Sequence, residues 1–397
     1  MSEYQYYEFS AIDQPLTSKQ QAELRARSTR ATITATGFTN EYHWGDLKSD
    51  PQAWMRRYFD AHVYSANWGT CRLLMRLPRP ALEASVLAEF IQTAPTGKRL
   101  RYWDSFESCA TPEHWILGWH FLDEEHEHER FWSETDGPGW LGRLLPLRDE
   151  LLRGDTRPLY LGWLAGVCAN EIDDDESEPP LPPGLQTLSA AQTALADFLM
   201  IDPDWLTAAA AASPAQENPK TTSDMDAWLN AQPANKLRAT VRLMLEGKSQ
   251  EAERSLRGEF LAWQRAQSPA HKITPRRTVA EIAEGREKAR ARRLERERRE
   301  RAAQQAKRRA ERGKYLAQLA RTQGTAWAVI SKTLERGSGA AYDQALQQTK
   351  ELCEALAAAG REQDFRKGLH KLLRSHGQRG AWIKRLTKAG LLEEVEA

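Results

Sequence analysis

Long apolar runs are missing from this sequence. Nothing approaches the ~18 consecutive apolar residues that a membrane span requires, and the opening MSEYQYYEFSAID has no basic stretch leading into an apolar one. These absences argue against membrane attachment and lead us to expect a cytoplasmic protein. Cysteine is scarce as well: Cys71, Cys109, Cys168 and Cys353 are scattered, with no CxxC or CxC. That excludes a disulfide framework or a zinc knuckle and fits reduced thiols. Net charge is nearly absent at +1, so the chain lacks the global field of a dedicated nucleic-acid binder. No complete catalytic signature is found, and no metal or cofactor is expected.

What is present is core-building material and an uneven distribution of charge. With 397 residues, 41% apolar content and 14 Trp, the chain can fill two or three domain cores. Residues 1–275 carry 27 Lys or Arg against 39 Asp or Glu, whereas 276–397 carry 29 against 16. The basic half could meet nucleic acid, or the two halves could simply offset each other.

Hydrophobic periodicity divides the chain into four parts, starting with an α+β domain over residues 1–135. Tyr4 to Ile12 and Ala31 to Thr36 read as strands, and Thr17 with Gln20 caps a helix to about Arg27 between them. A second helix starts at Asp50-Pro51. Strands His62 to Ser65 and Arg72 to Leu77 flank an Asn67-Trp68-Gly69 turn, Pro80 to Ile91 is helical, and Leu100 to Phe106 and Trp115 to Leu122 are further strands. Residues 136–275 form a mostly helical domain in which Glu171 to Gly184 (EIDDDESEPPLPPG) and Ala208 to Thr222 read as linkers, with helices restarting at Ser189 and Ser223.

The third part, 276–321, is a long basic helix. Arg276 to Lys314 holds 16 Lys or Arg and 7 Glu, and no large apolar side chain lies between Leu294 and Tyr315. A helix polar all round bridges solvent or lies against a charged partner. Thr278 and Glu281 form a capping box, and Glu284–Lys288, Glu295–Arg299 and Glu297–Arg301 are supporting i,i+4 pairs. Bends are expected at Gly285 or Gly313. The fourth part, 322–397, reads as a small helical module with helices at Trp327 to Leu334, Tyr342 to Ala358, Glu362 to Arg374 and Trp382 to Ala389.

Candidate sites compete with plainer readings. Gly137-Pro138-Gly139-Trp140-Leu141-Gly142 fits the GxGxxG spacing, but Ser133 to Asp136 before it is polar rather than strand-like, so a loop is expected. Gly247-Lys248-Ser249 resembles the end of a phosphate loop, but Arg242 stands where its first glycine belongs; Glu246 and Lys248 mimic a nuclease ExK, and a helix end is the better reading. His120 and Asp123 to Glu129 include metal-ligand types but read as a solvated acidic loop. Trp44, Trp54, Trp68, Trp103, Trp115, Trp119, Trp132, Trp140 and Trp163 are expected mostly in the core. His43, Asp46, Asp60, His62, Asp104 and Glu107 are acid–base types without an assigned role. Phosphate contacts, if made, would come from Arg292, Arg293, Arg296, Arg299, Arg308, Arg309 and Arg312 on the helix and from Lys371, Arg374, Lys384 and Arg385 in the module, alongside Arg366, Lys367 and Arg379.

Tyr6 to Leu16 (YYEFSAIDQPL) and Ala66-Asn67-Trp68-Gly69-Thr70 resemble motifs of a group of bacterial proteins without an assigned activity. Ala341 to Leu346 and Ile383 to Leu391 are similar to the helical tail of some bacterial SWIM-type zinc-finger proteins, although the zinc motif is absent. This resemblance implies at most a shared interaction module. The expectation is a non-enzymatic interaction or scaffold protein with a protein partner. The alternatives are an accessory factor that binds nucleic-acid backbones non-specifically, and an enzyme of unrecognised class sited in the α+β domain.

Overall fold

The computed structural model describes residues 3–91, 104–123, 130–131, 137–216, 221–247, 276–392 and part of 249–263. It divides into two compact units, 1–291 and 292–397.

The first unit is built on a seven-stranded antiparallel sheet, ordered β2-β3-β1-β4-β5-β7-β6. The strands are β1 (Gln5–Ser10), β2 (Thr32–Ile33), β3 (Gly37–Tyr42), β4 (Ala61–Ala66), β5 (Cys71–Pro78), β6 (Phe106–Ala110) and β7 (His114–Phe121). α1 (Ser18–Arg27) separates β1 from β2, and its Thr17–Gln20 capping box forms as the spacing predicts. α2 (Pro51–Arg57) starts at Asp50, which caps two backbone amides. The β4–β5 hairpin turns at 67–70 as expected. Three expectations shift here: β3 was not foreseen, Pro80 to Ile91 contracts to a 3-10 turn at Arg79–Ala81 and the short α3 (Ala84–Ala88), and the strand expected at Leu100 to Phe106 lies at Phe106–Ala110. Of that expected strand, residues 100–103 lie outside the described residues.

Both faces of the sheet are covered, which is why β4 is buried along its whole length and β5 along most of its length. Because side chains alternate along a strand, β5 sends Cys71, Leu73, Met75 and Leu77 to one face and Arg72, Leu74 and Arg76 to the other. Phe9, Phe38, Tyr64, Leu74 and Ile116 pack with Leu24 of α1 and Trp54 and Met55 of α2. The opposite face meets α4 (Trp140–Leu144), α5 (Pro146–Leu152), α6 (Arg157–Cys168), α7 (Ala190–Phe198) and α8 (Pro203–Ala210). One apolar core therefore runs through the boundary expected at 135/136, from Val63 and Trp119 to Leu161, Leu195 and Ile282.

The two expected linkers are largely built into this unit. Glu178 is buried; its carboxylate accepts from Arg277 Nε at 2.8 Å and from the Tyr160 hydroxyl, and its amide donates to Arg277 O. Ser177 pairs with Thr278. Composition suggested a solvated segment, but a buried carboxylate with a guanidinium partner ties it to the start of the long helix. Ala208, Ala209 and Ala210 are buried in α8, and residues 217–220 lie outside the described residues. α7 begins at the Ser189–Gln192 capping box, whereas α9 (Thr221–Asn230) starts before Ser223 and α10 (Ala234–Leu245) follows it.

α11 (Val279–Arg321) is a single helix of 43 residues that runs through Gly285 and Gly313 unbroken. Thr278 and Glu281 exchange the expected capping hydrogen bonds. Val279 and Ile282 belong to the core of the first unit, while Leu316 and Ala320 belong to that of the second. Residues 298–315 are exposed on every side. Arg299–Glu295 at 2.6 Å and Arg301–Glu297 at 3.4 Å form as expected, joined by Arg293–Glu297 and Arg296–Glu300.

The second unit closes with α12 (Gln323–Glu335), α13 (Gly339–Ala358), α14 (Glu362–His376) and α15 (Gly380–Lys388), close to the expected helices. Ile330, Leu334, Leu352, Leu356, Phe365, Leu369, Trp382 and Leu386 fill its core. Gly368 is needed for packing: a Cβ there would lie 2.3 Å from the Trp327 indole.

Candidate functional site

On the sheet face under α2, the strand register sets Tyr7, Tyr64, Arg72 and His120 in one cross-strand row. Phe9, His62, Leu74, Gly118 and Glu107 form the next row. Glu107 Oε1 accepts from Arg72 Nη2 at 3.1 Å and from Gln52 Nε2 at 3.1 Å, and it lies 3.2 Å from His120 Nε2. The Tyr64 hydroxyl donates to Gln5 Oε1 at 2.9 Å, and the Tyr7 hydroxyl donates to the Asp46 carboxylate. His62 Nδ1 sits 3.0 Å from Glu8 O and its ring stacks on Phe9 with centroids 3.9 Å apart. Its Nε2 is buried and meets no hydrogen-bond partner among the described residues.

The electrostatics follow from burial. Burial lowers His62 to about 3 and His120 to about 4, so both imidazoles are neutral near pH 7. Burial alone would raise Glu107, but the His120 hydrogen bond and the Arg72 guanidinium bring it down to about 2. Burial also pushes Tyr7 and Tyr64 well above the usual phenol range. A carboxylate held this low is a poor general base, and neutral histidines this far from titration are poor acids. The row therefore acts as a fixed polar clamp between α2 and the sheet.

Asp60, on the same unit, is occupied in a similar way. Its Oδ2 accepts from the amides of Ile12 and Asp13 at 2.7 and 2.8 Å, and its Oδ1 from Arg76 Nη2 at 2.8 Å. Arg148 of α5 reaches Asp13 at 2.8 Å and donates to Arg76 O at 3.0 Å. This network ties the sheet to α5. Of the acid–base types singled out in the sequence, the structure puts His62 and Glu107 in one cross-strand row but with Leu74 and Gly118 between them, and relates Asp46 to His62 through Tyr7, whose hydroxyl donates to Asp46 and whose ring stacks on His62 with centroids 6.0 Å apart. His43 lies against Tyr4 instead, with the two rings tilted by 52°, and Asp104 is exposed. Sequence reasoning missed Arg72, Gln52 and Tyr64; the available signal was Arg72 and Arg76 set four residues apart on the same face of an otherwise apolar strand.

The remaining motifs are structural where they are described. Gly139 takes a left-handed φ of 91° before the five-residue α4, and a Cβ on Gly137 would lie 3.2 Å from Tyr6, so these glycines serve a tight packed turn. Glu246 caps α10 and Gly247 follows at φ 80°, while Lys248 lies outside the described residues. His120 and Asp123 are buried, and residues 124–129 lie outside the described residues. Among the described residues no group of three or more His, Cys, Asp or Glu is placed to hold a metal ion. Trp54, Trp115, Trp119 and Trp163 are in the core, Trp68 and Trp140 are half-buried, Trp103 and Trp132 lie outside the described residues, and Trp44 is 75% exposed.

The expected phosphate contacts divide into two sets. Arg293, Arg296, Arg299, Arg312 and Arg385 are in ion pairs, the last two with Glu354 and Asp343 at 2.6 Å. Arg292, Arg308, Arg309, Lys371, Arg374 and Lys384 are exposed and make no ion pair among the described residues. No described helix is long and apolar enough to cross a membrane. No family model matches the chain, and neither a curated protein nor a solved structure matches it at a significant level.

Proposed function

We propose that this chain is a non-enzymatic interaction or scaffold protein of the cytoplasm that joins partners through its long charged helix. The observation behind this reading is α11, whose first turn is built into one apolar core and whose last turns are built into another, with exposed charge between them. A helix that buries no apolar stripe over residues 298–311 gains nothing there from packing. Its i,i+4 ion pairs, worth about 0.3–0.5 kcal/mol each, help keep it helical in water. Such an element suits a mechanical or partner-presenting role. An enzyme sited near Glu107 has less support, because its carboxylate is already engaged by Arg72 and Gln52 and burial favours the neutral form of His62 and His120.

The test is capture of the full-length tagged protein from its source cell after chemical cross-linking, with and without nuclease. Protein partners that persist after nuclease treatment are the expected result, and loss of every partner would overturn the reading. A second reading, an accessory factor on nucleic-acid backbones, draws on the exposed cations that lack an acidic neighbour.

A further inference from the structure

We propose that the outer face of α14 is a docking surface for the phosphate backbone of double-stranded nucleic acid. This deepens the second reading, an accessory factor on nucleic-acid backbones, by placing its contact on one helix, and does not depend on the connector reading. α14 buries Phe365, Leu369, Leu372 and His376 on its inner side. Arg366, Lys367, His370, Lys371 and Arg374 are all exposed. At 3.6 residues per turn these five fall within an arc of about 140° and span about 12 Å along the axis. The helix's two carboxylates, Glu362 and Asp364, sit in its first turn, and Asp364 is held by Arg361 at 2.9 Å. None of the five makes an ion pair among the described residues.

The contrast with α11 gives the stripe its meaning. There Glu295, Glu297 and Glu300 stand among the arginines and engage Arg293, Arg296, Arg299 and Arg301, so much of the charge is answered within the helix. On α14 the cations stand side by side without such partners, an arrangement that raises their mutual repulsion and is relieved by an external polyanion. A membrane surface is the poorer match, since among the described residues the exposed large apolar side chains of this unit are Leu294, Tyr315 and Val329 and none is on α14. A single strand is also disfavoured, because the stripe presents no exposed aromatic ring for base stacking. A duplex, with about one charge per 1.7 Å of axis, offers the densest phosphate array to a convex row of cations.

The experiment measures fluorescence anisotropy of labelled duplex DNA, duplex RNA and single strands with the full-length protein over a salt series. Four neutralised phosphates correspond to a slope of about −3 to −4 in log K against log salt. Replacing Arg366, Lys367, Lys371 and Arg374 by Gln should weaken duplex binding at least tenfold at low salt and remove most of that slope, with helicity retained. Replacing the ion-paired Arg293, Arg296, Arg299 and Arg301 by Gln on α11 should change affinity less than threefold. Should the first variant fail to fold, Lys371→Gln/Arg374→Gln is read instead, with the slope falling by about two. Unchanged duplex affinity in the α14 variant, or polyglutamate or phosphatidylserine vesicles binding as tightly as the duplex, would overturn the proposal. A failed partner capture with intact duplex binding would sink the connector reading and leave this one standing.

Discussion

At the scale of single residues, the polar row under α2 shows how burial sets chemistry. His62 and His120 have the residue type of general bases, yet burial holds them neutral, and Glu107 is held ionised by its donors. An imidazole lowered on folding favours the native state above its ordinary value of 6.5 and loses that contribution as pH falls through the window toward 4. Glu107, lowered from 4.5, adds a further loss below 4.5. The thermal midpoint of the first unit should therefore fall as pH drops from 6.5 to 4.5, and His62→Gln/His120→Gln should flatten that decline in a calorimetric pH series. A decline of equal steepness in the double variant would acquit the histidines. None of this was legible in the sequence, because the row depends on a cross-strand register joining residues 7, 64, 72 and 120.

Helices are the scale at which the sequence spoke most clearly. Thr17 with Gln20, Ser189 with Gln192 and Thr278 with Glu281 announce three helix starts, because a capping box is a local hydrogen-bond pattern four residues long. The end of α11 at Arg321 and the four following helices were likewise readable from 3.6-residue periodicity and the glycines between them. β3 was missed because Gly37 and the polar Thr39, Asn40 and Glu41 weaken its apolar alternation; pairing with β1 makes it a strand. Within α11, Glu297 accepts from both Arg293 and Arg301. Glu297→Gln should weaken the local helix by about 0.5–1 kcal/mol and speed amide exchange over residues 293–305 several-fold at low salt, with little difference at 1 M salt. Equal protection in both proteins would show that the pairs contribute nothing.

For the whole molecule the informative feature is two cores joined by one helix. Each core has its own buried tryptophan, Trp119 in the first and Trp382 in the second, both fully enclosed. Calorimetry should resolve two transitions. Trp382→Ala should lower only one of them and Trp119→Ala only the other, each by the equivalent of about 3–5 kcal/mol. A single transition moved by either substitution would mean that the cores unfold together.

The sequence by itself determined most of the helix starts, the charge imbalance and the length of α11, since capping, periodicity and ion-pair spacing act over a few residues. Tertiary structure alone decided that residues expected as two domains share one core, that the acidic proline-rich stretch is anchored through Glu178, and that Arg72, Glu107 and His120 meet. Those outcomes depend on contacts between positions tens of residues apart, whose energies come from burial and pairing that no local pattern encodes.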